Sequence, residues 1–382
     1  MTASIDVLIP AYNAARTIRS AVDSIRAQTV RDIAIHVVDD GSTDDTASVL
    51  AGMAQEEPRL RVHHKANGGI VDALNHGLSF CTAPLIARHD ADDLAYPHRF
   101  AVQKAWLDAN PDAVAVGSAA RHIDADDRPL GTSARLLQPD QADLFAVPAR
   151  EPYIIHPFLM VRRDAVERVG GYRHAHHAED ADLYWRLLGE GRLHNLPDVL
   201  GDYRMHAESV TSKSIVNGRV AAIGSQLAAF SARRRAAGRT DLVFARTQQR
   251  ELEAAGAIAP MVEIAAAGMA ADERVAFEEA VAGKLLELTG YRPYELDRGD
   301  VDFVRRVVDR GFAHLPAPAR GVQVRRLTGT GARLAAGGRV ADGLALVPAA
   351  LLPQMAARWA IRAPVFRALR ARMARRHGAP VK

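Results

Sequence analysis

Hydrophobic positions in the first ninety residues fall into short apolar runs separated by stretches of helical period. Ile5-Asp6-Val7-Leu8-Ile9 is a β-rich run that Pro10 ends; Ile18, Val22 and Ile25 then recur at spacings of four and three, one face of a helix. A second run, Ile33 to Val38, leads into Asp39-Asp40-Gly41, and a helix is predicted from about Thr43. The same reading predicts a strand near Leu60 to His63, a helix over about Gly69 to Phe80, and a fourth strand over Pro84 to Ala87. Strands and helices alternating with connections this short predict parallel βαβ units, with helices covering both faces of the sheet. Beyond about residue 215 strand-like runs nearly vanish. Val216, Val220, Ile223, Leu227 and Phe230 repeat at 4-3-4-3, a helix expected to stop near Gly238. Val281, Leu285 and Leu288 mark another, with Asp272 suited to its N-cap and Gly290 to its stop. The pattern predicts an α/β domain over 1–215 and a helical region over 216–382.

Composition narrows the class. The 382 residues are 48% hydrophobic and 25% charged, which excludes disorder, collagen-like structure and a disulfide scaffold. One cysteine, Cys81, allows no internal disulfide and favours a reducing compartment. The first 20 residues contain Asp6, Arg16 and Arg19 and show no secretory-signal pattern. No apolar run approaches the ~20 residues of a spanning helix; Leu344 to Leu352 is broken by Pro348 and stopped by Pro353. The formal charge of +4 conceals an asymmetry. Residues 358–382 hold eight basic and no acidic residues, which leaves 41 basic against 45 acidic in the rest.

In open α/β sheets ligands bind beyond the carboxyl ends of the strands, and the polar clusters follow three of those ends. Pro10-Ala11-Tyr12-Asn13 is either a turn that lets main chain and Tyr12 meet a nucleobase, or a plain βα turn with Asn13 capping the helix. In Asp39-Asp40-Gly41-Ser42-Thr43-Asp44-Asp45, Ser42 with Asp45 reads as a capping box. Asp39 and Asp40 precede that helix, where its dipole explains them poorly and where carboxylates can accept from a uracil N–H or ribose hydroxyls. Asp90-Ala91-Asp92-Asp93 packs three carboxylates into four residues; they repel unless a cation or solvent screens them, and an oxygen-rich loop suits Mg²⁺ or Mn²⁺. An exposed capping loop is the plainer reading, and His89 reads more naturally as a core or solvent histidine than as a ligand. Glu179-Asp180 opens a helix that Leu183, Leu187 and Leu188 would anchor; helix-dipole complementarity alone accounts for acids there, and so does a general base. Tyr203-Arg204-Met205-His206 places a histidine at a strand end, as metal ligand or ordinary polar contact. Dinucleotide-binding, P-loop, zinc-cysteine and nucleophile-elbow patterns are absent.

Taken in order, these residues resemble the family 2 glycosyltransferases of the GT-A fold. The matching segments are IDVLIPAYN (5–13), VVDDGSTDDT (37–46), NGGIVDALNHGL (67–78), IARHDADD (86–93), HPFLMVRR (156–163), GGYR (170–173), AEDADLYWRL (178–187) and YRMH (203–206). They cover roughly the first 210 residues. The resemblance implies a Rossmann-like, mostly parallel sheet flanked by helices, and transfer of one sugar from a nucleotide sugar, expected to be a UDP-sugar, with inversion. It implies that Pro10, Ala11 and Tyr12 with Asp39 and Asp40 hold base and ribose, with Gly68 and Gly69 near the nucleotide. It further implies Asp90 near the ribose or donor sugar, Asp92 and His206 on Mn²⁺ or Mg²⁺, and Asp180 as base with Glu179 orienting the acceptor or sugar.

Two departures bear on this. The processive branch carries Q-x-x-R-W and membrane spans, whereas Gln354 to Trp359 has one residue too many between Gln and Arg. Many relatives place an arginine before the asparagine of the third helix; here Leu74 precedes Asn75, so a diphosphate contact from this position does not follow from the resemblance. Alternative readings are a sugar-nucleotide pyrophosphorylase, which would want a glycine-rich basic loop that 10–20 lacks, and a non-catalytic scaffold of the same fold. A nucleic-acid binder lacks interleaved aromatics beyond Trp359 and Phe366. In the tail, Val365, Phe366, Leu369 and Met373 share a helical face after Pro364, with arginines elsewhere, so 358–382 reads as a basic amphipathic segment. The expectation is a cytoplasmic enzyme, peripheral on the inner membrane face, acting on a glycan or lipid-linked acceptor in assembly of a bacterial surface glycan.

Overall fold

The computed structural model describes residues 3–134, 137–205, 214–291, 294–311 and 315–362. The N-terminal pattern folds as β1 (Ile5–Ala11), α1 (Ile18–Arg26), β2 (Ile33–Asp39), α2 (Thr46–Glu56), β3 (Leu60–His64), α3 (Ile70–Leu78) and β4 (Leu85–Arg88). The short β5 (Leu94–Ala95), α4 (Arg99–Ala109), β6 (Ala113–Ile123) and β7 (Pro129–Ala134) follow. After them come β8 (Met160–Arg162), α5 (Arg163–Arg168), α6 (Glu179–Leu187) and β9 (Arg192–Arg204). The strands form one sheet in the order β3-β2-β1-β4-β8-β6-β9-β5, with β7 beside β6. β1 to β4 run parallel, as do β6 and β9, and β8 lies antiparallel between β4 and β6.

β1 and β2 are buried along their whole length, because parallel strands covered on both faces need apolar residues at every position. One layer of core joins Ile18, Val22 and Ile25 of α1 to Val7, Ile9, Ile35 and Val37. The other packs Val71 and Leu74 of α3 and Leu183 and Leu187 of α6 against Leu8, Val38 and Ile86. Gly77 lets α3 approach closely: a β-carbon there would lie 2.2 Å from Leu8 Cδ1 and 2.9 Å from Val38 Cγ2.

The remaining helices are α7 (Ile215–Ala236), α8 (Arg246–Ala255), α9 (Ile258–Ala265), α10 (Ala271–Tyr291), α11 (Arg298–Gly311), α12 (Ala317–Ala336) and α13 (Val340–Leu346). A closing helix spans 352–362. The chain divides into two compact units, Met1–Leu144 with Arg150–Ser209 and Ser231–Phe244, and Phe145–Ala149 with Val210–Phe230 and Ala245–Lys382. In the second, Arg219 bonds Asp300 at 2.8 Å and also pairs with Asp297, and Tyr294 Oη donates to Asp300 at 2.9 Å. Among the described residues no single helix is long and apolar enough to cross a membrane.

Three local expectations need correction. Asn13 does not cap α1, whose first residue is Ile18; it sits at φ 49°, its side chain accepts from Thr43 N at 2.8 Å, and its own N–H donates to Ser42 Oγ at 3.0 Å. Ser42 and Asp45 form no capping box. Asp44 instead accepts from Thr46 N at 3.0 Å and Ala15 N at 3.1 Å, so the polar residues between β2 and α2 tie two loops together. Finally, α10 begins at Ala271, so Asp272 lies inside its first turn, and the helix continues through Gly290 to Tyr291.

Candidate active site

The carboxyl ends of β1, β2 and β4 lie side by side, since Ala11 faces Asp39 and Leu8 faces Arg88 in the parallel register. Pro10 and Ala11 complete β1, and Tyr12 projects beyond it, 51% exposed. Asp39 and Asp40 are buried, and both already have protein partners. Asp39 accepts from Ser42 N and shares a hydrogen bond with His64 Nδ1, each at 3.0 Å. Burial alone would raise its pKa, but these contacts hold it below the usual aspartate value. Asp40 accepts from Lys65 Nζ at 2.6 Å, Gly68 N at 3.0 Å and Gly69 N at 2.7 Å. It thereby fixes the loop leading into α3. Gly69 adopts φ 86°, a backbone conformation that favours glycine, whereas a β-carbon on Gly68 would meet chiefly the movable ends of Asp72 and Lys65.

Carboxylate oxygens of Asp90, Asp92 and Asp93 lie within 4.8 Å of one another just past β4. Asp93 is the buried member; it accepts from Arg204 N at 2.8 Å, while its Oδ2 has no partner among the described residues. Burial and repulsion from Asp90 and Asp92 push its carboxyl well above the usual range. An all-oxygen donor set with an unpartnered buried oxygen fits a hard divalent cation. Arg204, buried on β9, also donates to the Asp92 carbonyl at 2.7 Å and so clamps the loop. His206 lies outside the described residues.

Arg88, the last residue of β4, joins this cluster to α6. It is buried and pairs with Asp90 Oδ1 at 2.6 Å, while its Nε and Nη1 lack partners among the described residues. Its charge also lowers the pKa of Glu179 and of Asp180. Against that pull, burial and then the neighbouring Glu179 push Asp180 up to about 7; burial likewise raises Glu179, with Asp90 adding to it. Asp180 Oδ1 accepts from Ala181 N at 2.7 Å, and two turns of buried side chains from Ala181 to Leu187 hold α6 in place.

His156 and Tyr172 are buried polar residues to which the sequence motifs assign no role. His156 Nε2 lies 2.8 Å from Tyr172 Oη, and burial followed by the Arg88 charge keeps His156 neutral. Asn75 holds the Tyr172 backbone with two hydrogen bonds of 2.9 Å, and Leu74 faces the core. His89 is a core histidine: Nε2 meets the Asp93 carbonyl at 3.1 Å and Nδ1 meets Arg99 at 3.2 Å. Arg88 was the detectable omission, because a cation closing an otherwise apolar strand just before an acid cluster is itself a signal.

A sheet of this order with an acidic loop past its fourth strand and a carboxylate pair at a helix mouth defines a glycosyltransferase of the GT-A type. S. aureus TarS shares the fold, with a TM-score of 0.50 at 14% identity over 85% of this chain and 51% of that one. The sequence model of Glycosyl transferase family 2 matches residues 6–170. A glycosyltransferase of Haemophilus influenzae is 30% identical over 223 residues, 54% of this chain and 67% of the relative. The amylovoran biosynthesis glycosyltransferase AmsE of Erwinia amylovora is 29% identical over 211 residues, 54% of this chain and 78% of the relative. The chain belongs to glycosyltransferase family 2.

Proposed function

We propose that this glycosyltransferase moves one sugar from a nucleotide diphosphate sugar, UDP-linked in our reading, to an acceptor hydroxyl with inversion at C1. The observation that carries the reading is the convergence of the Asp90-Asp92-Asp93 cluster and the Glu179-Asp180 pair on Arg88. Tyr12, exposed beside Pro10 and Ala11, is suited to a base face, and Asp39 to base or ribose hydrogen bonds. Asp40 presents Gly68 and Gly69 to the nucleotide rather than offering its own fully engaged oxygens. Asp90 lies toward the ribose or sugar. Asp92, with Asp90 and Asp93, would hold Mn²⁺ or Mg²⁺, which when bound neutralises charge on the departing diphosphate.

Asp180 accepts the acceptor's hydroxyl proton as the new C1–O bond forms and the C1–O(phosphate) bond breaks, releasing the nucleoside diphosphate. An acidity constant near the working pH suits a general base, because the carboxylate is populated and still basic. Glu179 orients the acceptor or sugar, and no covalent enzyme intermediate is needed. The kinship with AmsE supports a role in bacterial surface polysaccharide assembly. The test is a panel of UDP-, GDP- and dTDP-sugars with and without Mn²⁺. Transfer by wild type that EDTA abolishes and Asp92→Asn sharply reduces is expected; metal-independent transfer, or hydrolysis with every donor and no acceptor product, would overturn the reading.

A further inference from the structure

The helical unit carries a pocket of ≈ 390 Å³ remote in sequence from every active-site residue assigned above, though two of its arginines, Arg358 and Arg362, open the basic tail. Leu286, Glu287 and Gly290 of α10 form one wall, Arg325, Arg326, Gly329, Thr330 and Arg333 of α12 a second, and Arg358 and Arg362 of the closing helix a third. Helical spacing explains the convergence: Arg326 and Arg333 are seven residues apart and Arg358 and Arg362 four apart, each pair on one face. Gly329, between the α12 arginines, leaves its carbonyl open to Arg362 Nη1 at 2.8 Å.

Five guanidinium groups thus surround one space with a single carboxylate among the described lining residues. That carboxylate is already shared, since Glu287 accepts from Arg326 at 2.6 Å and from Lys284 at 3.1 Å. The guanidinium groups of exposed Arg325 and half-buried Arg358 make no hydrogen bond or ion pair among the described residues. Burial and the adjacent Arg362 charge pull Arg333 below the ordinary arginine value. With only Glu287, and Glu295 acting on Arg333, as counter-charge, five gathered cations oppose folding, and an anion in their midst reverses that cost. Arginine rather than lysine supplies planar forks that match phosphate oxygens two at a time, and the volume is that of a small-ligand site rather than of one bare ion.

We propose that this pocket binds a phosphorylated group, a phosphate or diphosphate ester, at a site separate from the donor site. The reading does not depend on the transfer chemistry proposed above. Its test uses the full chain in EDTA, so that metal-dependent binding at the acid cluster is silent. Inorganic pyrophosphate is titrated calorimetrically, and vesicles of phosphatidylcholine with and without phosphatidic acid are used for flotation. Arg325→Gln/Arg358→Gln removes two groups with no internal partner, and an unchanged melting temperature verifies its fold. Arg250→Gln, on α8, is the control.

We expect wild type and Arg250→Gln to bind pyrophosphate alike, with affinity falling as salt rises, and the double variant to bind about tenfold or more weakly. Vesicle binding that needs phosphatidic acid, is competed by pyrophosphate and is lost in the double variant identifies the source as a lipid headgroup. Pyrophosphate binding without flotation identifies a soluble phosphorylated ligand. Wild type that binds neither probe, or a folded double variant that binds as wild type does, overturns the proposal.

Discussion

Asp180 illustrates how one residue's environment ties stability to activity. Its folded pKa of about 7 lies above the ordinary aspartate value, so the folded state holds a proton that the unfolded chain releases. That contribution to stability is present at low pH and is lost as pH rises through about 7. Asp180→Asn is therefore expected to melt a few degrees higher than wild type at pH 8 and close to it at pH 4, measured by calorimetry. The same variant should transfer sugar about 10²–10⁴-fold more slowly while still binding nucleotide sugar; wild-type rates would remove Asp180 from the mechanism. For wild type, the single-turnover rate should climb about tenfold per pH unit below pH 7 and then level off, and the residual rate of Asp180→Asn should lack that limb.

At the scale of elements, the strands and helices of the first ninety residues were legible because parallel strands buried on both faces must be continuously apolar and their helices amphipathic. The loops were less legible. Asn13 and Ser42 look like helix caps in sequence, yet they bond across two loops about thirty residues apart, and Asp44 divides its oxygens between Thr46 N nearby and Ala15 N on the other loop. Propensity reports only local competition for backbone groups, and here a non-local partner won. Asn75 behaves alike: its side chain reaches from α3 across 97 residues to hold Tyr172. Asn75→Ala leaves that backbone pair unsatisfied and is expected to cost about 1–3 kcal/mol, read as a lower urea midpoint with unchanged slope, and to raise the acceptor KM more than it lowers donor affinity.

For the whole molecule, charge is the informative quantity. The +4 total divides into a net-acidic body and an eight-cation tail, and we propose that residues 358–382 draw the protein to anionic membranes at about 1 kcal/mol per basic residue near the surface. Deleting 358–382 should abolish co-sedimentation with phosphatidylglycerol vesicles at low salt; unchanged co-sedimentation would refute the attachment. Sequence by itself determined the α/β alternation, the strand-end positions of Asp39, Asp40, Asp90 and Asp92, and the helix-mouth position of Glu179 and Asp180, because period and chain order encode them. Only the tertiary structure decided that Arg88 pairs with the acid cluster and Asp93 is its buried member, that Asp40 bonds the Gly68-Gly69 loop, and that segments 145–149 and 231–244 exchange between the two compact units. It also decided that arginines spread over nearly forty residues line one pocket. The physical reason is common to all four: electrostatic partnership depends on distance in space, and folding brings together groups whose separation along the chain carries no trace of it.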